Sequence, residues 1–206
     1  DWPMWRYGPN RGGASPEQLP RELHLQWSRA LPAPAPAWPD EPRLQYDGVH
    51  QPVVMGRTLF LGSSLNDCLT AYDTETGAER WRYFSDGPIR FAPIAANGKV
   101  WFASDDGFLY CLSASDGKLL WRFRGGPASR KLLGNGRLIS AWPARGGPVL
   151  VDGVVYFAAG IWPFMGVFVH ALDAETGRVL WTNRDCNSLY HMVDHNLYDY
   201  IGLSPQ

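Results

Sequence analysis

Ala71-Tyr72-Asp73-Thr74-Glu75-Thr76-Gly77-Ala78-Glu79-Arg80-Trp81 and Ala171-Leu172-Asp173-Ala174-Glu175-Thr176-Gly177-Arg178-Val179-Leu180-Trp181 share one frame, Ala-x-Asp-x-x-Thr-Gly-x-x-x-Trp. Between them, Cys111-Leu112-Ser113-Ala114-Ser115-Asp116-Gly117-Lys118-Leu119-Leu120-Trp121 keeps the spacing and softens the residues. Upstream of each Trp a proline opens the unit (Pro52, Pro93, Pro148), and a glycine turn follows (Met55-Gly56, Asn97-Gly98, Asp152-Gly153). A β-rich run comes next, at 58–61, 100–103 and 154–158. Proline-to-tryptophan distances are 29, 28 and 33 residues, the third lengthened by the loop Gly160 to Gly166. Each unit has room for four short strands and three hairpins, with Asn-Gly and Asp-Gly supplying positive φ. One such sheet cannot cover both its faces, so the units must stack, and radial stacking of four-stranded sheets is a β-propeller. The expected fold is all-β, with about three four-stranded antiparallel blades at 52–83, 93–123 and 148–183.

The repeated residues have mechanical reasons. Gly77, Gly117 and Gly177 let the last hairpin turn tightly. Asp73 and Asp173 can cap that turn by accepting from backbone amides. Ala71 and Ala171 are small where the sheet is crowded, and Cys111 fills the same slot. Trp81, Trp121 and Trp181 end each unit on the outermost strand, where a large ring can pack on the neighbouring sheet and donate its indole N–H to a carbonyl.

Composition agrees. The chain has 206 residues, with 45% hydrophobic, 19% charged, 14% aromatic, and ten Trp; Gly numbers 22 and Pro 17. That is a globular, turn-rich chain rather than a disordered or long-helical one. The net charge of −1 excludes a globally basic nucleic-acid binder. No run of 18 apolar residues exists, so no transmembrane helix is expected. Starting at Asp1 without Met, the chain reads as a mature or excised product. Cys68, Cys111 and Cys186 form no close-spaced zinc pattern, and leave open one disulfide with a spare thiol or three buried thiols.

Ten of the prolines fall in residues 1–52, and Leu31-Pro32-Ala33-Pro34-Ala35-Pro36 predicts an extended linker. Ahead of it, Leu23, Leu25 and Trp27 alternate with polar neighbours, which predicts one short strand. Residues 1–51 thus form an N-terminal segment, and 52–206 the blades.

The frame resembles the PQQ-like (pyrroloquinoline-quinone-like) repeats of quinoprotein-type β-propellers of the bacterial secreted or periplasmic type, where it is the tryptophan-docking motif. The opening Asp1-Trp2-Pro3-Met4-Trp5-Arg6-Tyr7-Gly8-Pro9-Asn10-Arg11-Gly12 is similar to the start of such propellers. The resemblance implies an extracytoplasmic location and puts Trp27 on the outer strand of a closing blade. It also implies a longer propeller of which this is the N-terminal part, Ser204-Pro205-Gln206 opening a further blade. Dehydrogenases of this fold hold PQQ over calcium, using an adjacent Cys-Cys pair, acidic and Asn ligands and a catalytic Asp. No Cys-Cys pair is present and no position matches those residues, so no catalytic residue is assigned. No cofactor is expected; PQQ and calcium enter only if the chain is part of a quinoprotein alcohol or sugar dehydrogenase. The expected function is a non-catalytic binding or scaffold module that presents one face to a protein or polysaccharide partner. Family members of this kind include an outer-membrane-assembly lipoprotein that docks proteins on its propeller.

Two stretches are candidates for that face. Residues 117–151 hold Lys118, Arg122, Arg124, Arg130, Lys131, Arg137 and Arg145 with no Asp or Glu. An anionic partner could use them, and so could acids folded against them from elsewhere. The loop Ile161-Trp162-Pro163-Phe164-Met165 is apolar where polar residues are expected, with Trp142-Pro143 in the preceding connection. It is either buried under that connection or exposed as a docking patch. The candidate binding set is Arg124, Arg130, Lys131, Arg145, Trp142, Trp162 and Phe164. Both stretches should lie on the face of the middle hairpin turns. Leu189, Val193, Leu197 and Ile201 recur every four residues and predict a short amphipathic helix. Its other side carries His191, His195 and Asp199, a polar stripe that could ligate a metal or simply face water. No metal site is assigned.

Overall fold

The computed structural model describes residues 1–134, 136–162 and 165–186, with Asp185 and Cys186 described by their backbone. Three four-stranded antiparallel sheets follow one another along the chain. The first is β1 (Val53–Met55), β2 (Thr58–Ser63), β3 (Cys68–Asp73) and β4 (Glu79–Phe84). The second is β5 (Ile94–Ala96), β6 (Lys99–Ala103), β7 (Phe108–Ser113) and β8 (Leu119–Arg124). A two-stranded hairpin, β9 (Lys131–Gly134) with β10 (Arg137–Ser140), precedes the third sheet. That sheet is β11 (Val149–Val151), β12 (Val154–Ala159), β13 (Val167–Asp173) and β14 (Val179–Cys186). The class is all-β, and the sheets are propeller blades in which each strand pairs with the next.

Turn chemistry fixes the register of each blade. Asn97 and Gly98 have φ of 50° and 74°, and Asp152 and Gly153 have 48° and 76°. These two-residue loops have positive φ at both central positions, the geometry that matches strand twist. They set Ala96 opposite Lys99 and Val151 opposite Val154. From there one row of side chains crosses each sheet in line: Val53–Phe60–Ala71–Trp81, Ile94–Trp101–Cys111–Trp121, and Val149–Tyr156–Ala171–Trp181. The small residue on the third strand leaves space for the Trp beside it. Each row breaks register immediately after that residue, at Ala71/Tyr72, Cys111/Leu112 and Ala171/Leu172.

The first two rows are core. Phe60, Ala71, Tyr110 and Leu112 pack between blades one and two, whereas Trp101, Cys111, Val155 and Leu172 pack between blades two and three. The middle blade is therefore buried on both faces, and alternate residues of β7 serve different layers. At roughly 1.5–3 kcal/mol for each large side chain fully buried, stacking of the sheets is what holds any one of them together. Trp81 Nε1 donates to Ala114 O and Trp121 Nε1 to Glu175 O, both at 3.0 Å, so each Trp bonds the blade that follows its own. Trp181 bonds no following blade among the described residues and is 46% exposed.

The N-terminal residues run across the inner strands. Trp2 exchanges two backbone bonds with Val54, Pro3 O accepts from Ala95 N, and Arg11 reaches Gly147 O and Pro148 O ahead of β11. The strand expected around Trp27 is not formed. Residues 22–30 have no strand, with Leu23 and Leu25 exposed, because no described strand lies alongside to complete a ladder. The stretch expected as a linker is fastened down: Ala35 N donates to Ser64 Oγ and Ala37 N to Asp47 Oδ2. The helix expected near 188–201, with His191, His195 and Asp199, and the start of a further blade at 204–206 lie outside the described residues.

Candidate functional site

The connection between blades two and three is an arm laid across the middle turns of all three blades. Over blade one, Arg137 donates to Ser64 O and to the Asp67 carboxylate. Over blade two, Ser140 N donates to Asp105 O and Ala144 N to Ser104 O. Over blade three, Gly160 N donates to Pro143 O, and Trp142 Nε1 donates to Met165 O at 2.7 Å. Gly107 carries φ +91°, and a Cβ there would stand 2.6 Å from Ser140 Oγ. Only glycine lets the arm come this close. Arg130, at the foot of the hairpin, and Gly160, at the start of the middle turn of blade three, share this side of the molecule, joined through Ala141 to Pro143.

Beneath the arm lies a buried ionic cluster. Asp105 accepts from Arg145 Nε and Nη2, each at 2.8 Å, and from Arg90 Nε at 2.7 Å. Arg90 Nη1 also reaches Asp47 Oδ2 at 2.7 Å and Ala35 O at 2.6 Å. Arg145 stacks on Trp38, 4.7 Å from the ring centroid. All four charged side chains are at least nine-tenths buried. Two cations and two carboxylates with planar, paired geometry make the cluster a clamp between N-terminal segment, blade two and arm. Arg145 thus lies inside the fold rather than on a binding surface, with Nε and Nη2 committed to Asp105. Nearby, burial raises the carboxyl of Asp67, against the opposing pull of Arg137. Burial likewise raises Asp106, which accepts from Tyr110 Oη at 2.5 Å.

The other basic side chains divide by partner. Lys118 pairs with Asp116 at 2.9 Å and Arg137 with Asp67. Arg124, Arg130 and Lys131 are exposed and have no carboxylate partner among the described residues. Arg124 Nε donates to Gly126 O. Trp142 is half-buried with its N–H committed to the loop of blade three, and Trp162 is 41% exposed. Phe164 lies outside the described residues. The face therefore gathers Arg124, Arg130, Lys131 and Trp162 and draws Trp142 and Arg145 inward.

The hairpin β9–β10 adds what the sequence reading passed over. Leu133 and Leu138 face each other across the strands at 78% and 59% exposure, while Ile139 on the opposite side is buried. Asn135-Gly136 between apolar pairs is the signal that could have found it.

The repeat residues serve the blade ends. Asp73 Oδ1 accepts from Glu75 N and Thr76 N, while Arg80 binds its other oxygen at 2.6 Å; Asp173 Oδ1 accepts from Thr176 N and Oγ1. These bonds favour the carboxylate and hold both aspartates below the usual range. The Lys118 ammonium does the same for Asp116, pushing it down to about 2. Burial pushes the Cys111 thiol up to about 12 and raises Cys68 as well.

The donors among the described residues do not make a calcium site. Among the described residues no three His, Cys, Asp or Glu side chains are grouped to hold a metal ion. Cys68 and Cys111 sit in different blades as separate buried thiols, and Asp47 and Asp105 are already bound to guanidinium groups.

Residues 24–184 match the family model of PQQ-like repeats described as outer membrane protein assembly factor BamB. The dehydrogenase subunit of a quinone alcohol dehydrogenase from Komagataeibacter europaeus is 31% identical over 145 residues, 65% of this chain and 19% of the relative. A tetrathionate hydrolase from Acidithiobacillus ferrooxidans is 24% identical over an alignment of 210 positions, covering 87% of this chain and 39% of the relative. Among solved structures, the quinohemoprotein alcohol dehydrogenase from Comamonas testosteroni superposes with a TM-score of 0.63 at 22% identity. That match covers 89% of this chain and 27% of the dehydrogenase, and it concerns the fold. The chain spans at most 39% of the length of these curated relatives.

Proposed function

Because the chain belongs to the PQQ-like repeat family described as outer membrane protein assembly factor BamB, we propose that it is a non-catalytic scaffold module holding a protein partner on its middle-turn face, outside the cytoplasm. The observation that carries this reading is the arm. Hydrogen bonds to the middle turns of three blades, with a buried ionic clamp beneath, give the face a fixed shape. On that face stand cations without carboxylate partners among the described residues and exposed apolar side chains, the mixture of charge and hydrophobic anchor that protein interfaces use. Cations beside Trp162 also suit a polysaccharide, which is a separate outcome of the test.

The test is a photo-crosslinking residue placed at Leu138 in one variant and at Leu19, exposed on the N-terminal segment, in another. Discrete protein adducts from position 138 and none from position 19 are the expected result. Equal or absent protein adducts at both positions overturn the proposal. Retention on heparin that falls with salt and with Arg130→Glu/Lys131→Glu, without protein adducts, moves the reading to an anionic polysaccharide.

A second reading, part of a quinone-dependent dehydrogenase, is favoured by the 31% identity to the Komagataeibacter subunit. Turnover of an alcohol or sugar, followed by dye reduction with PQQ and calcium added, would establish it.

A further inference from the structure

We infer that the outer edge of β9 is a strand-addition site, where an acidic, alternately apolar segment of a protein partner docks as a third strand. The inference deepens the scaffold reading and rests on it.

The backbone shows which groups are available. Ala141 N donates to Arg130 O, which makes 130 with 141, 132 with 139, and 134 with 137 the hydrogen-bonded pairs of this antiparallel ribbon. Lys131 and Leu133 fall in the pairs between, so their N–H and C=O groups point away from β10. Ser140, of the same parity on β10, directs its N–H outward in the same way and spends it on Asp105 O. No described residue takes the outward groups of Lys131 and Leu133. An edge with unspent donors and acceptors is a template for another strand.

The side chains define what the strand must carry. Leu133 and Leu138, at 78% and 59% exposure, form one apolar pair on the outward surface of the ribbon. Ile139 is buried on the other surface, and Arg137 ties the ribbon to Ser64 O and Asp67, so the leucines stay outward. An incoming strand therefore covers them with every second residue. Arg130 immediately precedes β9 and Lys131 opens it, both exposed and without carboxylate partners among the described residues. By strand alternation Lys131 shares the leucine surface and Arg130 lies on the other, so acids at the alternate positions of the incoming strand would answer Arg130. The edge is four residues long, so the addition is short, and its affinity depends on charge and on the leucines together.

The experiment uses the whole 206-residue chain and a fluorescein-labelled peptide, four repeats of Glu-Val, read by anisotropy. The comparison peptide has the same sequence, N-methylated at alternate residues so that charge and side chains remain and edge hydrogen bonds do not. Saturable binding that N-methylation weakens by about tenfold or more is expected, since two or three backbone bonds are lost. Leu133→Ser/Leu138→Ser should weaken it comparably. Both leucines are exposed, and an unchanged melting temperature shows that the variant is folded. A Lys-Val peptide should not bind. Equal binding of the methylated peptide, or none of the Glu-Val peptide, overturns strand addition. Crosslinks from position 138 together with that failure leave the scaffold reading standing, so the two can fail separately.

Discussion

The indole of Trp27 lies on Gly77: a Cβ there would meet the ring at 2.7 Å, and Trp27 Nε1 donates to Thr74 O at 2.8 Å. Trp81 on Gly117 and Trp121 on Gly177 are arranged alike, with 2.6 and 2.7 Å to the same imagined atom. Trp27 therefore fills, on blade one, the place that the tryptophan of a preceding blade fills on blades two and three. It does so from an extended segment rather than a sheet. Arg29 holds that segment beside it, donating to Gly77 O and lying 4.7 Å from the centroid of Tyr72.

Gly117→Ala should destabilise the protein by about 2–4 kcal/mol, combining a left-handed residue with displacement of Trp81. Gly98→Ala, at φ +74° with nothing within 4 Å, has only the first contribution, about 1–2 kcal/mol. Urea unfolding of the two variants checks the difference. Equal losses would mean that the ring on Gly117 adjusts without cost.

Trp121→Ala should cost about 3–5 kcal/mol, the scale for a large aromatic removed from a packed layer. Trp181→Ala should cost clearly less, because Trp181 is 46% exposed and bonds no further blade among the described residues. Comparable midpoints for the two variants would show that position in the stack does not govern the contribution.

Much of this was legible because the repeat repeats. Three glycine turns, three small residues and three tryptophans at fixed offsets define blades, and local turn chemistry sets their register. What escaped the sequence was non-local. Arg145 and Asp105 are forty residues apart and pair only because the arm folds over blade two, so Arg145 reads as a free cation until the partner is seen. The Trp27 segment has a strand's alternation but no strand to bond among the described residues, and alternation alone does not make a ladder. The hairpin at 131–140 is different: its signal, Asn135-Gly136 between apolar residues, is local, and it sits inside a stretch dominated by basic charge.

Asp105→Asn removes one charge from a cluster in which two buried guanidinium groups share that carboxylate. Breaking a buried pair this way costs about 3–5 kcal/mol, because the remaining cations stay desolvated. The hairpin depends on the same clamp, so amide exchange at Leu132 and Ile139 should quicken more than at Leu109 in blade two. Uniform quickening across all three would show that the arm and the blades open as one unit.

The buried thiols give a chemical measure of blade stacking. With Cys111 raised to about 12 and Cys68 also raised, thiolate is scarce at pH 8 and neither sulfur reaches solvent. In native buffer a bulky aromatic disulfide reagent should label neither, and both should label in step with unfolding in urea. Rapid native labelling of Cys111, read by peptide mass, would place that residue outside a closed layer.

Acid should act through two opposed sets of carboxyls. Asp73, Asp116 and Asp173 sit below the usual carboxylate range in the folded chain, held there by Arg80, by Lys118 and by Thr176 respectively. A depressed group contributes stability that is present above its unfolded value, near pH 4, and lost as pH falls through the folded one. For Asp116 that loss is centred at about 2. Asp67 and Asp106 are raised by burial, so the folded chain keeps their protons to higher pH, and their contribution falls as pH rises above about 4. Stability should therefore peak near pH 4, dropping on the acid side through the turn aspartates and on the other side through Asp67 and Asp106. Asp73→Asn should flatten the acid limb between pH 4 and 2. Asp106→Asn, which keeps an acceptor for Tyr110, should flatten the decline on the other side. Urea midpoints followed by tryptophan fluorescence from pH 2 to 7 measure both slopes. An Asp106→Asn profile parallel to the parent above pH 4 would show that Asp106 is already ionised there, and that burial does not raise it.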